Sequence, residues 1–449
     1  MRPLRTLLLC GTMTILLGVL ANPPTRAAVQ KRVSGNLVFW DQTRGFATVV
    51  DNVDVFSEIS PFWYRVLTDG RVVPYTTAAG SSYEDAGILS FLRAHGILVI
   101  PTVANIIDGV WDGATVSTII ADPQRRAVNI ANLVDLAVNR GYDGIDLDYE
   151  NLRATDRAAF TTFVRELAAA LHAEGKLLMV NVYAKTSEPG TWDGPRAQDW
   201  LAIGQVADQV RIMTYEYSWS TSSPGPISPI FWVGDVIAFA RSVIPAGKIV
   251  QGIPFYGYDW VGQRGTDIVW NQAMALASQY GAPLQWDSAS ASPWFEYTSG
   301  KTRHTVWFEN ASSIDAKLNV AVANGLGGVT LWRLGGEDPD NWSAVRARFG
   351  GPPPPPPAAD TTPPSVTITS PASGATVSKK QLIGAQVTDN VGIARVDFYV
   401  NGSLLTSDTA APYAVWWNTR RALPGANDIA VVAYDSSGNS ATARVTVYR

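Results

Sequence analysis

Short apolar runs rich in β-branched residues alternate with segments of helical period through the first three quarters of this chain. No other feature limits its fold so tightly. The runs lie at residues 36–40, 59–66, 97–103, 144–149, 177–183, 209–214, 249–255 and 328–332. Between them, segments such as 123–139, 155–172 and 232–244 place apolar residues three and four apart. A helix between two strands returns the chain to the end where the first strand began, so successive strands run parallel. Eight such units in about 300 residues predict an α/β fold, a closed (β/α)8 TIM barrel spanning residues 33–350. Residues 265–325 exceed one crossover and predict a short α+β insertion before the last strand, with a hairpin around Thr298 and Lys301.

Six consecutive prolines at 352–357 interrupt the alternation. Such a run favours polyproline II, so residues 351–364 read as a Pro-rich linker acting as a semi-rigid spacer of roughly 20 Å. Beyond it the pattern is strands alone, at 365–369, 381–388, 394–400, 413–418, 428–434 and 442–447, with a hairpin turn at Asn401-Gly402. That predicts an immunoglobulin-like β-sandwich over residues 365–449, without cysteines to bridge it.

At the other end, Arg2 and Arg5 precede an apolar run at 7–20, and Ala21, Ala27 and Ala28 offer small residues for cleavage. Residues 1–28 therefore read as a signal peptide, too short for a comfortable membrane span. Cys10, the only cysteine, falls inside this run behind Leu9, where a lipoprotein signal needs a small residue. The expected product is extracellular or in the cell envelope, with no membrane attachment after cleavage, and monomeric. A formal charge of -4 supplies no basic field for nucleic acid, so no nucleic-acid partner is expected.

The chemistry is concentrated in DGIDLDYE, residues 143–150. Alternation along a strand puts Asp146, Asp148 and Glu150 on one face and Ile145, Leu147 and Tyr149 on the other. With the apolar face against the helices, three carboxyl groups point into the barrel toward its C-terminal rim, where active sites of this fold lie. Crowded like charges in poor solvent raise at least one pKa, as a general acid working near neutral pH requires. Glu150, nearest the rim, is the candidate proton donor. A divalent metal is the competing use of such acids. No histidine lies nearby in sequence and no paired-histidine motif is present, so neither metal nor cofactor is expected.

DGIDLDYE matches the DxxDxDxE signature of glycoside hydrolase family 18. MTYEYSW at 213–219, GIPFYGYDW at 252–260 and GGVTLWRLGGED at 327–338 resemble the corresponding strands of that family. SPFWYRV and MTYEY are similar to the branch holding the spore-cortex peptidoglycan hydrolases and the chitinase-domain proteins. The terminal sandwich resembles bacterial immunoglobulin-like domains, which often serve as spacers.

The resemblance implies a secreted retaining glycosidase acting on N-acetylglucosamine-containing polysaccharide, in which the substrate's acetamide replaces the second carboxylate. In that scheme Glu150 is acid and then base, Asp148 orients the acetamide, and Asp146 sets the protonation of Asp148. Tyr215 binds the acetamide oxygen and Trp332 is the apolar floor. Trp40 and Glu216 are further substrate-binding candidates. Glu216, beside Tyr215, also leaves open a two-carboxylate mechanism. Two alternatives stand beside this: an endo-acting enzyme on N-linked glycans, and a chitinase-like lectin that binds without cutting. Such lectins usually lose the final acid of the signature, which this chain keeps as Glu150.

The third strand departs from the family, reading IPTVANIIDG, and no site residue is assigned there. Asp143 faces away from the other acids and reads as structural, as do His95, His172 and His304. For most of the sixteen tryptophans, among them Trp63, Trp111, Trp192, Trp219 and Trp260, packing is the expected role. In Trp416-Trp417, adjacent strand residues face opposite ways, so one packs inward and the other is partly exposed.

Overall fold

The computed structural model describes residues 32–350, 362–389, 392–409, 411–422, 424–435 and 439–449. The predicted leader and the six prolines lie outside the described residues. Eight strands form the first unit: β1 (Arg32–Val38), β2 (Glu58–Val66), β3 (Thr102–Ala104), β4 (Gly144–Asp148), β5 (Leu177–Tyr183), β6 (Gln209–Met213), β7 (Ile249–Pro254) and β8 (Gly328–Trp332). Each pairs in parallel with the next, and β8 pairs with β1, so the sheet closes. The predicted TIM barrel is correct.

A helix follows every strand: α1 (Gln42–Asp51), α2 (Ala86–Ala94), α3 (Pro123–Asn139), α4 (Arg157–Ala173), α5 (Trp200–Val206), α6 (Ile230–Val243), α7 (Ala311–Ala323) and α8 (Asn341–Phe349). Local chemistry fixes several of their starts. Asp85, Asp122 and Asn310 each accept backbone N–H groups of the first turn of α2, α3 and α7, and Pro123 opens α3, where its missing N–H costs nothing.

The strand read as 97–103 is broken. Leu98–Val99 and Thr102–Ala104 pair separately with β2, because Pro101 has no N–H to contribute to the ladder. The first strand ends at Val38, earlier than read, leaving Trp40 in a single 3-10 turn on the rim.

Between β7 and α7 the insertion is a five-stranded antiparallel sheet with the helix Trp270–Tyr280. It begins at Gly257, ahead of the expected 265, and the predicted hairpin joins Ser292–Ser299 to Thr302–Trp307.

The C-terminal unit has two antiparallel sheets, of three and four strands, around Ile383, Val396, Phe398, Trp417, Ile429 and Val431. The strand Ser403–Asp408 escaped the sequence reading because Leu404 and Leu405 are adjacent and exposed, which hides the alternation of an edge strand. Trp417 is buried at 5% exposure while Trp416 stands 63% exposed, the opposed pair that strand geometry requires.

Candidate active site

β4 carries the acids as its sequence predicts. Ile145, Leu147 and Tyr149 join the core under the helices, the Tyr149 ring stacking on Phe163 of α4 with centroids 5.8 Å apart. Asp146 and Asp148 are buried inside the ring, and Glu150 follows the strand at the rim. Asp143 accepts the Val99 N–H at 2.7 Å, a structural bond between neighbouring strands.

The three acids differ in their partners. Asp146 receives Arg211 Nη1 at 2.9 Å, Thr102 Oγ1 at 2.9 Å and Asn181 Nδ2 at 2.9 Å. Asp148, directly above, has an Oδ1 with no hydrogen-bond partner. Burial, with the charges of Glu150 and Asp146 beside it, pushes its carboxyl well above the ordinary carboxylate range. Glu150 is pushed up to about 7, mainly by burial, with the Tyr183 hydrogen bond working against the shift and the charge of Glu216 adding to it.

Glu150 is held at both ends. Asn105 clasps its backbone reciprocally, donating from Nδ2 to the Glu150 carbonyl at 2.9 Å and accepting the Glu150 N–H at 2.9 Å. Tyr183 donates its hydroxyl to Glu150 Oε2 at 2.6 Å. Sequence reasoning missed both. Asn105 lies in the stretch that departs from the family, and Tyr183 gave only a positional signal, as the last residue of an apolar strand.

These groups open into a cavity of about 1120 Å³ whose lining includes Asp148, Glu150, Tyr215, Glu216, Trp332 and Trp40. Six of the seven candidates from the sequence thus meet in one space, and Asp146 lies beneath its floor. Tyr215 is half-buried near Asp148 and Glu150, and desolvation followed by their charges keeps its phenol protonated. Glu216 sits at φ 63 and accepts through one oxygen from the hydroxyls of Tyr256 and Tyr258. Trp40 and Trp332 meet edge-on at 6.4 Å on the rim of β1 and β8.

Packing accounts for Trp63 and Trp260, both buried, but Trp40, Trp192 and Trp219 line the cavity and are half exposed. The histidines have structural partners: His95 the Phe91 carbonyl, His172 Asp208, and His304 Asp259.

Residues 104–338, just over half the chain, match the family described as Glycosyl hydrolases family 18. The chain belongs to that family. As a family 18 glycoside hydrolase it carries in addition a match to the bacterial Ig domain at 364–447. It is 33% identical to the sporulation-specific glycosylase YdhD of Bacillus subtilis (strain 168) over 64% of this chain and 68% of that protein. With the cortical fragment-lytic enzyme of the same organism the identity is 38%, over 50% of this chain but only 54% of the relative's length. The crystal structure of a chitinase from Chromobacterium violaceum superposes with a TM-score of 0.66 at 30% identity, covering 72% of this chain and 99% of that one.

Proposed function

We propose that this family 18 enzyme is exported and cleaves β-1,4 bonds next to N-acetylglucosamine units in chitin, chitooligosaccharides or peptidoglycan, with retention and with the substrate's acetamide as nucleophile. Glu150 protonates the departing oxygen and later activates water. Asp148 steadies the acetamide as it closes on C1, Asp146 fixes the charge beneath Asp148, Tyr215 binds the acetamide oxygen, and Trp332 is the floor. The chain works as a monomer with residues 1–28 removed, the barrel at 33–350 and the sandwich at 365–449 held apart by the linker at 351–364.

One observation carries this reading: a half-buried carboxyl at the cavity wall, Glu150, bonded by Tyr183 and pushed up to about 7, stands beside a second acid, Asp148, with an unpartnered oxygen, and near the Tyr215 phenol. A general acid must still hold its proton near neutral pH. Substrate assistance gains support from Glu216, one of whose oxygens accepts from two tyrosine hydroxyls, which weakens the carboxylate as a nucleophile. The similarity to a cortical fragment-lytic enzyme and to a chitinase supports the substrate class.

The mature protein incubated separately with chitooligosaccharides, peptidoglycan sacculi and a high-mannose glycoprotein, with products identified by mass, tests the reading. Cleavage of either of the first two is expected, and release of N-glycans alone would replace the proposal. Glu150→Gln should lose about 10³-fold in kcat while keeping its fold and substrate binding.

A further inference from the structure

Tyr183 and Trp192 form a built aromatic corner beside the proton donor. The Tyr183 hydroxyl donates to Glu150 Oε2 at 2.6 Å and accepts the Asn151 N–H at 3.2 Å. A phenol has one proton, and the short bond to the carboxyl takes it. With Oε2 occupied as an acceptor, the proton of neutral Glu150 belongs on Oε1.

The Tyr183 ring meets Trp192 edge-on, centroids 4.6 Å apart. Trp192 lies on the loop between β5 and α5, lines the cavity and is 46% exposed. Behind both rings is Gly194, where an added Cβ would fall 2.4 Å from Trp192 Cη2 and 2.7 Å from Tyr183 Cε2. Only glycine lets the loop close against the pair. The indole is therefore fixed on its inner side and open to the cavity on the other.

Trp332 and Trp40 stand on β8 and just after β1. In the closed ring β8 is diametrically across from β4, the strand that leads to Glu150, whereas β5 is beside it. The two aromatic corners thus flank the cavity from opposite sides. The acid must lie between the sugar that is attacked and the sugar that leaves, so a platform on its own side serves the leaving one.

We propose that Tyr183 and Trp192 form the leaving-sugar subsite: Trp192 is the platform for the departing saccharide, and Tyr183 is a positioning residue that keeps the Glu150 proton on the oxygen facing it. The proposal rests on the assignment of Glu150 as proton donor. In the step, the Glu150 Oε1–H bond breaks as its proton passes to the glycosidic oxygen. The C1–O bond breaks with its electron pair staying on that oxygen, the acetamide oxygen bonds to C1, and Glu150 is left as a carboxylate still accepting from Tyr183.

The titratable groups facing Glu150 are Asp148 on β4, Tyr183 on β5, and Tyr215 and Glu216 beyond β6. Replacing Tyr183 removes the one bond among them that favours ionised Glu150.

Steady-state kinetics of the full mature chain on chitotetraose and on 4-nitrophenyl chitobioside, whose leaving group is not a sugar, tests this. Tyr183→Phe should lower kcat on chitotetraose about tenfold or more with little change in KM, and should move the alkaline limb of the pH profile upward. Trp192→Ala should raise KM for chitotetraose about tenfold, and its loss in kcat/KM there should exceed the loss on the aryl glycoside by roughly fivefold. Trp192→Phe should recover much of that loss.

Equal losses of Trp192→Ala on both substrates, or a Tyr183→Phe profile with an unmoved limb, would overturn the subsite. If Glu150→Gln is inactive while those results appear, only the subsite fails. If Glu150→Gln retains parental kcat, or the parent cleaves neither substrate, the assignment of Glu150 fails and takes the subsite with it.

Discussion

Two residues apart on one strand, Asp146 and Asp148 meet opposite surroundings. In the lower layer of the barrel every charge has a partner. Arg211 bridges Asp146 and Glu58, its Nη2 reaching Glu58 Oε1 at 2.7 Å. Its Nη1 also donates to Ser60 at 2.6 Å, and Gln209 closes the set on Glu58 Oε2 at 2.8 Å. At the mouth, Asp148, Glu150 and Glu216 have hydroxyl partners or none, and among the described residues no cation is ion-paired with them, Arg211 acting on Asp148 only through space from the layer below. Arg333, the one guanidinium lining the mouth among the described residues, is taken by Asp41 at 2.8 Å and Asp267 at 3.0 Å. Burial alone therefore does not make a proton carrier. Burial without an ion-paired cation raises a carboxyl, and the barrel places a paired layer under an unpaired one, which on the proposed mechanism gives a fixed charge at Asp146 and a movable proton at Glu150.

The largest effect expected from breaking this contrast is on stability. Arg211→Met leaves Glu58 and Asp146 buried without their cation, a change that costs about 3–5 kcal/mol. In a domain of this size that lowers Tm by roughly 4–8 °C. Adding Glu58→Gln should return part of the loss, since one of the two orphaned charges is then gone. Thermal denaturation of the single and double variants checks both. A single variant within about 1 kcal/mol of the parent would mean that the lower layer is not held by its charges.

The mouth predicts the opposite sign. Glu150 has its pKa raised from 4.5 to about 7 on folding, so between those values the native state binds more protons than the unfolded chain. Stability contributed by the neutral carboxyl is then complete below about pH 4.5 and falls as pH rises through about 7. Partial access of solvent through the cavity reduces the effect to about 2 kcal/mol. Glu150→Gln has no such charge to bury. Its Tm should match the parent near pH 4.5 and exceed it by a few degrees at pH 8, while its activity is lost. A mutant no more stable than the parent at pH 8 would mean that the ionised carboxylate is well accommodated.

The same contrast explains what the sequence could reveal. Period and alternation report burial, so the eight-strand barrel, the insertion, the sandwich and the inward acids of DGIDLDYE were all legible. The break at Pro101 was legible too, had the missing N–H been weighed. Partnership across the ring was not. Arg211 reads as a stray charge in an apolar strand until the closed sheet brings Glu58 and Asp146 to it, over sequence separations of 153 and 65 residues. Asn105 and Tyr183 share that difficulty, since each acts on Glu150 from a different strand. Aromatic residues posed the reverse problem: packing and sugar contact use the same side chains, and only exposure separates Trp63 and Trp260 from Trp40 and Trp192.

The smallest expected effect concerns the charge that the mouth leaves uncompensated. Burial does most to raise the Glu150 pKa, the Tyr183 hydrogen bond opposes it, and the nearby Glu216 carboxylate adds a smaller upward push. Glu216→Gln keeps an acceptor for Tyr256 and Tyr258 but removes the negative charge, so ionised Glu150 is less opposed and its pKa falls. With Glu150 as the proton donor proposed above, the alkaline limb of kcat/KM should move to lower pH, by less than about one unit. That shift runs opposite to the one expected from Tyr183→Phe, and the two measured side by side separate charge from hydrogen bonding. An unmoved limb in Glu216→Gln would mean that Glu150 and Glu216 do not sense each other, and that burial and the Tyr183 bond set the Glu150 proton without Glu216.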